Sequence, residues 1–198
     1  MQAKQVTLIP NEEGIIPLTD FQKLLKHAKN SGMWYCQNTA GITSSKIKEK
    51  LLAKGYPNRA VKCETEDGIQ DINFIDEVID YLKASYLLDD NAAAKNMLQN
   101  LLNKGFGPNR IESDLKQSGV DAEIIEDLLE ELDESSNNDV RDALENAAVK
   151  IMRKSSFQKA EKWKQKMILS RDLWAKGFTA YDVEQFLVDF ETEEDEDW

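Results

Sequence analysis

Three stretches of this sequence share one register: Ile47-Lys-Glu-Lys-Leu-Leu-Ala-Lys-Gly-Tyr56, Ile111-Glu-Ser-Asp-Leu-Lys-Gln-Ser-Gly-Val120 and Leu169-Ser-Arg-Asp-Leu-Trp-Ala-Lys-Gly-Phe178. With Gly55, Gly119 and Gly177 aligned, Leu51, Leu115 and Leu173 stand four residues earlier, and Ile47, Ile111 and Leu169 eight earlier. That spacing puts each pair on one face of a helix. Glycine takes the left-handed conformation in which helices commonly end, without the roughly 1–2 kcal/mol steric cost that other residues carry. An apolar residue follows each glycine, as the hydrophobic contact of such a cap prefers. Each stretch therefore reads as a helix, a glycine turn and the start of another helix.

The second helices follow. Ile125, Leu128, Leu129 and Leu132 keep the i, i+3, i+4, i+7 rule, as do Val183, Phe186, Leu187 and Phe190. Both stripes begin six residues after their glycine, and Asp121 and Thr179 are good N-caps, Thr179 forming a capping box with Asp182. After Gly55 the matching stripe (Ile75, Val78, Ile79, Leu82) begins fourteen residues late, which marks a polar insertion at about 57–73 carrying Asp67-Gly68. A third helix precedes each pair: about Met33–Ala40, Asn91–Lys104 and Asp139–Arg153. Asp89-Asp90 introduces the middle one, Gly105 closes it, and Pro108 suits the first position of the next helix.

The expected fold is all-α: tandem three-helix repeats forming an elongated or curved molecule. Its segments are an extension over 1–32 with one helix from about Asp20 to Lys29, repeats over 33–88, 89–134 and 139–190, and a disordered acidic tail over 191–198. Val6-Thr-Leu-Ile9 alone looks strand-like.

At the middle repeat the residues resemble a known family. Leu87-Leu-Asp-Asp90, Asn103-Lys-Gly-Phe-Gly-Pro-Asn-Arg-Ile111 and Leu115-Lys-Gln-Ser-Gly-Val120 are similar to the middle repeat of RecX regulatory proteins, and the resemblance extends over roughly residues 33–190. The sequence departs from that pattern at Ala93, where the family usually has an aromatic residue, and at Asn109, where it commonly has a second basic one. The resemblance implies a cytoplasmic, non-enzymatic protein without cofactor. Such a protein binds the RecA recombinase or its DNA filament and modulates recombination and the SOS response; inhibition is the expected sign, though the sequence itself does not give it, and a monomer is expected.

Composition limits the alternatives. The 198 residues carry 25 Lys and Arg against 37 Asp and Glu, a net charge of −12. That total disfavours ordinary non-specific DNA binding. No apolar run is long enough to span a membrane, and the first ten residues are too polar for a secretory signal. Cys36 and Cys63 with the single histidine, His27, are too few for a structural zinc, and free thiols in a reducing compartment are expected. His27 lies beside Lys26, off the apolar stripe, so it reads as an exposed helix residue. No nucleotide-binding loop, metalloprotease helix or nucleophile elbow occurs. Carboxylates such as Glu123, Glu126, Asp127, Glu130, Glu131, Asp133 and Glu134 read as a solvated helix face. An enzyme is not expected.

The charge is uneven. Residues 1–62 carry +6, residues 63–149 carry −16, and Lys150 to Lys176 carry +7. Candidate partner-binding residues are Lys54 at the first turn; Lys104, Arg110 and Lys116 around the middle one; and Lys150, Arg153, Lys154, Lys162, Lys166, Arg171 and Lys176, interleaved with Phe157, Trp163 and Trp174. A solvated face with core aromatics would give the same pattern. So would a helical nucleic-acid-binding protein with weak direct DNA contact, or an adaptor docking through its acidic middle.

Overall fold

The computed structural model describes residues 15–58, 60–65, 68–134 and 138–195, and the chain divides into two compact units, Met1–Ala93 and Ala94–Trp198. The strand-like Val6–Ile9 lies outside the described residues.

The first unit holds α1 (Leu18–Asn38), α2 (Ser44–Ala53), strands β1 (Ala60–Thr65) and β2 (Gly68–Asn73), α3 (Phe74–Ala84) and the start of α4 (Asp90–Lys104). Phe21, Leu24 and Ala28 of α1, Ile47 and Leu51 of α2, and Ile75, Val78 and Leu82 of α3 form its core, with Phe74 set edge-on to Phe21 and stacked on Tyr56. The two helices expected at about Asp20–Lys29 and Met33–Ala40 are one, so the boundary expected at residue 32 falls inside α1. Gly32, a poor helix former, stands between the two expected segments. Here Gly32 is a contact: a side chain on it would start 2.8 Å from the Leu82 Cδ1 of α3. The insertion is an antiparallel hairpin, Ala60 paired with Asn73 through to Thr65 with Gly68. Gly68 has φ +112°, open only to glycine, and buried Cys63 ties β1 to the core. The Ile16 N–H donates to the Lys62 carbonyl at 2.9 Å, tying the incoming chain to the hairpin.

The second unit holds the rest of α4, α5 (Pro108–Gln117), α6 (Ala122–Glu134), α7 (Asn138–Met152), the single turn α8 (Ser155–Gln158), α9 (Lys162–Ala175) and α10 (Ala180–Asp195). Helix α10 runs on through residues 191–195, into the expected disordered tail. Glu191, Glu193 and Glu194 are good helix formers, and neither Gly nor Pro interrupts them; residues 196–198 lie outside the described residues. Small residues on α7 let the end of α4 come close: a side chain on Gly105 would start 3.1 Å from Ala147 Cβ.

The register read from the sequence is the register of the core. Ile47, Leu51, Ile111, Leu115, Leu169 and Leu173 all have zero exposed surface, each burial contributing about 1.5–3 kcal/mol. Gly55, Gly119 and Gly177 lie at φ +87°, +71° and +89°. Each of the three ends carries a 5→2 and a 6→1 hydrogen bond, as in Gly119 N–H to Lys116 O (3.0 Å) and Val120 N–H to Leu115 O (3.2 Å). Gly105 closes α4 in the same way. Three-helix repeats in tandem, all-α apart from the hairpin, are the architecture. Among the described residues no helix is long and apolar enough to cross a membrane.

Candidate functional site: a junction of helix ends ringed by cations

In the second unit, three helix ends meet. A helix leaves its first four N–H groups and last four carbonyls without partners inside it. Here the start of α5 and the end of α9 satisfy one another. Gly107 N–H donates to Lys176 O (2.9 Å) and Asn109 N–H donates to Gly177 O (3.0 Å). The positive end of one macrodipole thus faces the negative end of the other. The approach is closed to side chains. A Cβ on Gly107 would lie 2.5 Å from the Gly177 carbonyl, and one on Gly177 would lie 2.5 Å from Arg110 Cβ. Gly107 has an ordinary negative φ (−87°), so its glycine is required by space alone. The Gly-Phe-Gly-Pro segment of the middle repeat is therefore a contact surface for the turn of the third.

The third end is the C-terminus of α4. Lys176 Nζ donates to Gly105 O (3.3 Å) and Lys150 Nζ to Lys104 O (3.5 Å), two cations placed where the dipole favours them. Phe106, between the glycines, lies under Lys176 (5.1 Å to the ring centroid) and Arg110 (5.8 Å). Asp172 on α9 accepts from Lys154 (3.2 Å) and Arg171 (2.8 Å). Burial pushes the Asp172 carboxyl up, but the bonds from Arg171 and Lys154 outweigh it and hold it below the usual carboxylate range. Lys176 is pushed down by partial burial and then by Lys150 and Lys154, with Asp172 opposing. These ammonium groups are close enough to repel one another, and an added anion would relieve that repulsion.

The structure thus gathers Lys104, Arg110, Lys150, Lys154, Arg171 and Lys176 around one junction, from segments that the sequence separates by up to 72 positions. Arg110, unfavourable for its dipole at a helix start, is offset by an i,i+4 pair with Asp114 at 3.0 Å. Arg153 follows α7 and is exposed; Lys162 and Lys166 lie exposed along α9. Lys116 pairs with Glu112 on α5 at 2.6 Å. Lys54 belongs to the first unit, where it donates to Ser31 (3.3 Å) and lies 4.8 Å from the Tyr35 ring centroid.

Phe106 and Asp172 were not among the residues expected from the sequence. The signal for the first was an aromatic residue held between two glycines. Asp172 had none beyond being one of two acids in a basic run. Among the described residues no group of His, Cys, Asp or Glu could hold a metal ion. His27 is exposed, Cys36 is half-buried with its thiol pushed up by burial, and Cys63 is buried; neither cysteine is in a disulfide.

Helices joined through glycine-built turns, repeated along the chain and carrying a cationic junction, place it among helical-repeat proteins. Residues 89–129 match the family model described as RecX, second three-helix domain. Regulatory protein RecX of Yersinia enterocolitica is 30% identical over 155 residues, covering 75% of this chain and 89% of that protein. The Clostridioides difficile protein of the same name is 29% identical over 177 residues, covering 87% and 71%. In fold, the crystal structure of RecX from Lactobacillus salivarius superposes with a TM-score of 0.67 at 18% identity, covering 86% of this chain and 99% of that one. This chain belongs to the RecX family of regulatory proteins.

Proposed function

We propose that this protein binds the RecA recombinase, or the filament RecA forms on DNA, and restrains its recombination and SOS activities. Family membership supports the partner. The observation that carries the reading to particular residues is the junction itself: Lys104, Arg110, Lys150, Lys154, Arg171 and Lys176 lie around the α5 start and α9 end, joined by backbone hydrogen bonds, and the α4 end, held by the Lys150 and Lys176 side chains. Cations held on a fixed backbone favour phosphates or an acidic protein surface, because less order is lost when the partner arrives. Arg153, Lys162 and Lys166 extend that surface, and Lys54 and Lys116 are further contacts in this proposal. The three repeats act as binding modules of a cytoplasmic, non-enzymatic monomer that needs no cofactor.

The uneven charge fits a nucleoprotein better than naked duplex DNA. An acidic segment of net −16 precedes the basic one, so long-range repulsion opposes the approach to phosphates that the junction favours locally. The test is RecA-dependent ATP hydrolysis on single-stranded DNA with increasing amounts of this protein. Hydrolysis and strand exchange should fall, and Lys150→Glu/Lys176→Glu should need at least about tenfold more protein, as removal of two charge-assisted hydrogen bonds implies. No effect at saturation, with filaments unchanged by microscopy, defeats the proposal.

A further inference from the structure

Helix α9 has apolar residues on two sides. Leu169 and Leu173 are fully buried, whereas Trp163, Met167 and Trp174 are 59%, 61% and 56% exposed. The exposed three stand at i, i+4 and i+11, one stripe facing away from the core. Between and beside them lie Lys164, Lys166 and Arg171, all exposed. Core packing does not account for two open indoles on one ridge, and cations flank that ridge along its length.

We infer that the outer face of α9 is a platform for single-stranded nucleic acid, Trp163 and Trp174 stacking on bases while Lys164, Lys166 and Arg171 follow the phosphates. The two tryptophans are separated by eleven residues, about 16 Å along the helix axis. That separation places them on different nucleotides of an unpaired strand. A duplex hides its base faces, so the indoles have nothing to stack on there. Sequence-tolerant binding of this kind joins aromatic π-faces to a cationic track. Trp163 is already oriented: its Nε1 donates to Glu161 at 2.8 Å, and the Lys164 ammonium, 3.6 Å from the same carboxylate, lies 5.1 Å from its ring centroid, so a phosphate would take Lys164 over from Glu161. The inference deepens the proposed function, and rests on it for the setting in which such a strand is met.

The test titrates the full chain, Trp163→Ala/Trp174→Ala and Lys164→Gln/Lys166→Gln onto fluorescent oligo(dT) and onto a duplex of equal length at low salt. All four substituted side chains are exposed, so the fold is retained. Each tryptophan removed should weaken oligo(dT) binding by about 5-fold to 100-fold. Its dependence on salt should stay the same and duplex binding should hardly change. The lysine variant should instead flatten the plot of log affinity against log salt by roughly 0.7 for each phosphate no longer neutralised. Unchanged oligo(dT) affinity without the tryptophans, or an equal weakening on the duplex, overturns the inference. Should the tryptophan variant keep oligo(dT) binding but lose its effect on the recombinase, the face docks protein and the nucleic-acid assignment is wrong. Oligo(dT) binding through the tryptophans by a chain without effect on RecA would uphold the platform and overturn the proposed function instead.

Discussion

Two helix starts in this molecule solve one problem differently. At α2, in the first unit, the N–H and hydroxyl of Ser44 donate to the Asp90 carboxylate at 2.7 and 2.5 Å, with Lys83 at 3.1 Å from it. At α5, in the second unit, the N–H groups donate to the carbonyl oxygens that end α9. The first solution adds a charge to an ordinary side-chain cap (Lys46 N–H to Thr43 Oγ1, 3.3 Å), so it titrates. The second uses backbone alone, so it is indifferent to pH but demands glycine on both sides. The cations gather around the second kind of junction, where the backbone is fixed and no carboxylate is spent on the cap.

The largest effect should come from the glycine end. Gly177→Ala combines a positive φ with a collision against Arg110, and should cost about 2–5 kcal/mol in urea unfolding. Gly119→Ala has the same positive φ at an exposed turn and should cost only about 1–2 kcal/mol. Equal destabilisation at the two sites would show that the α5–α9 contact adds nothing to the cap.

Asp90→Asn tests the charged start, with an expected cost near neutral pH of about 1–3 kcal/mol. Burial raises the Asp90 carboxyl, but the bonds from Ser44 and then Lys83 outweigh it, so its folded pKa lies below the ordinary value. A depressed carboxylate contributes stability that is present above its unfolded pKa of about 3.9. That contribution disappears as pH falls through the folded pKa. Unfolding followed from pH 7 downward should therefore show the gap between wild type and variant closing below about pH 4. A gap independent of pH would mean that the contact works by shape rather than charge.

The smallest expected change is a gain. Helix α3 ends with the same pair of hydrogen bonds as the glycine turns, but its left-handed residue is Tyr86, at φ +54° and 96% exposed. Tyr86→Gly should stabilise the first unit by about 1 kcal/mol. Failure to do so would show that the exposed ring makes up for its backbone strain in the folded state.

Much of the fold was legible because repeats expose their own logic. Leu115 and Ile111 could be assigned to the core from spacing to a glycine, and both are fully buried. The Thr179–Asp182 capping box is present, Asp182 N–H donating to Thr179 Oγ1 and Thr179 N–H to Asp182 Oδ2, each at 3.2 Å. The errors fall where a local signal was outweighed by a distant contact. The helix expected to end near Lys29 runs on through Gly32, which packs against Leu82, and the polar stretch after Gly55 hides a hairpin whose buried anchor, Cys63, needs the helices to cover it. The cations were visible as a positive run. Their convergence was not, because Lys104 and Lys176 are brought together only when the second unit folds.

By itself, the sequence determined the glycine caps, the three-fold register and the helices on either side of each turn, since all depend on spacings of a few residues. Tertiary structure alone decided that the Gly177 turn is locked. Gly119 and Gly177 are alike in sequence and in φ. Only the arrival of Gly107 and Arg110 from another repeat turns the second into a junction, and whether two backbones touch is a property of packing that no local pattern encodes.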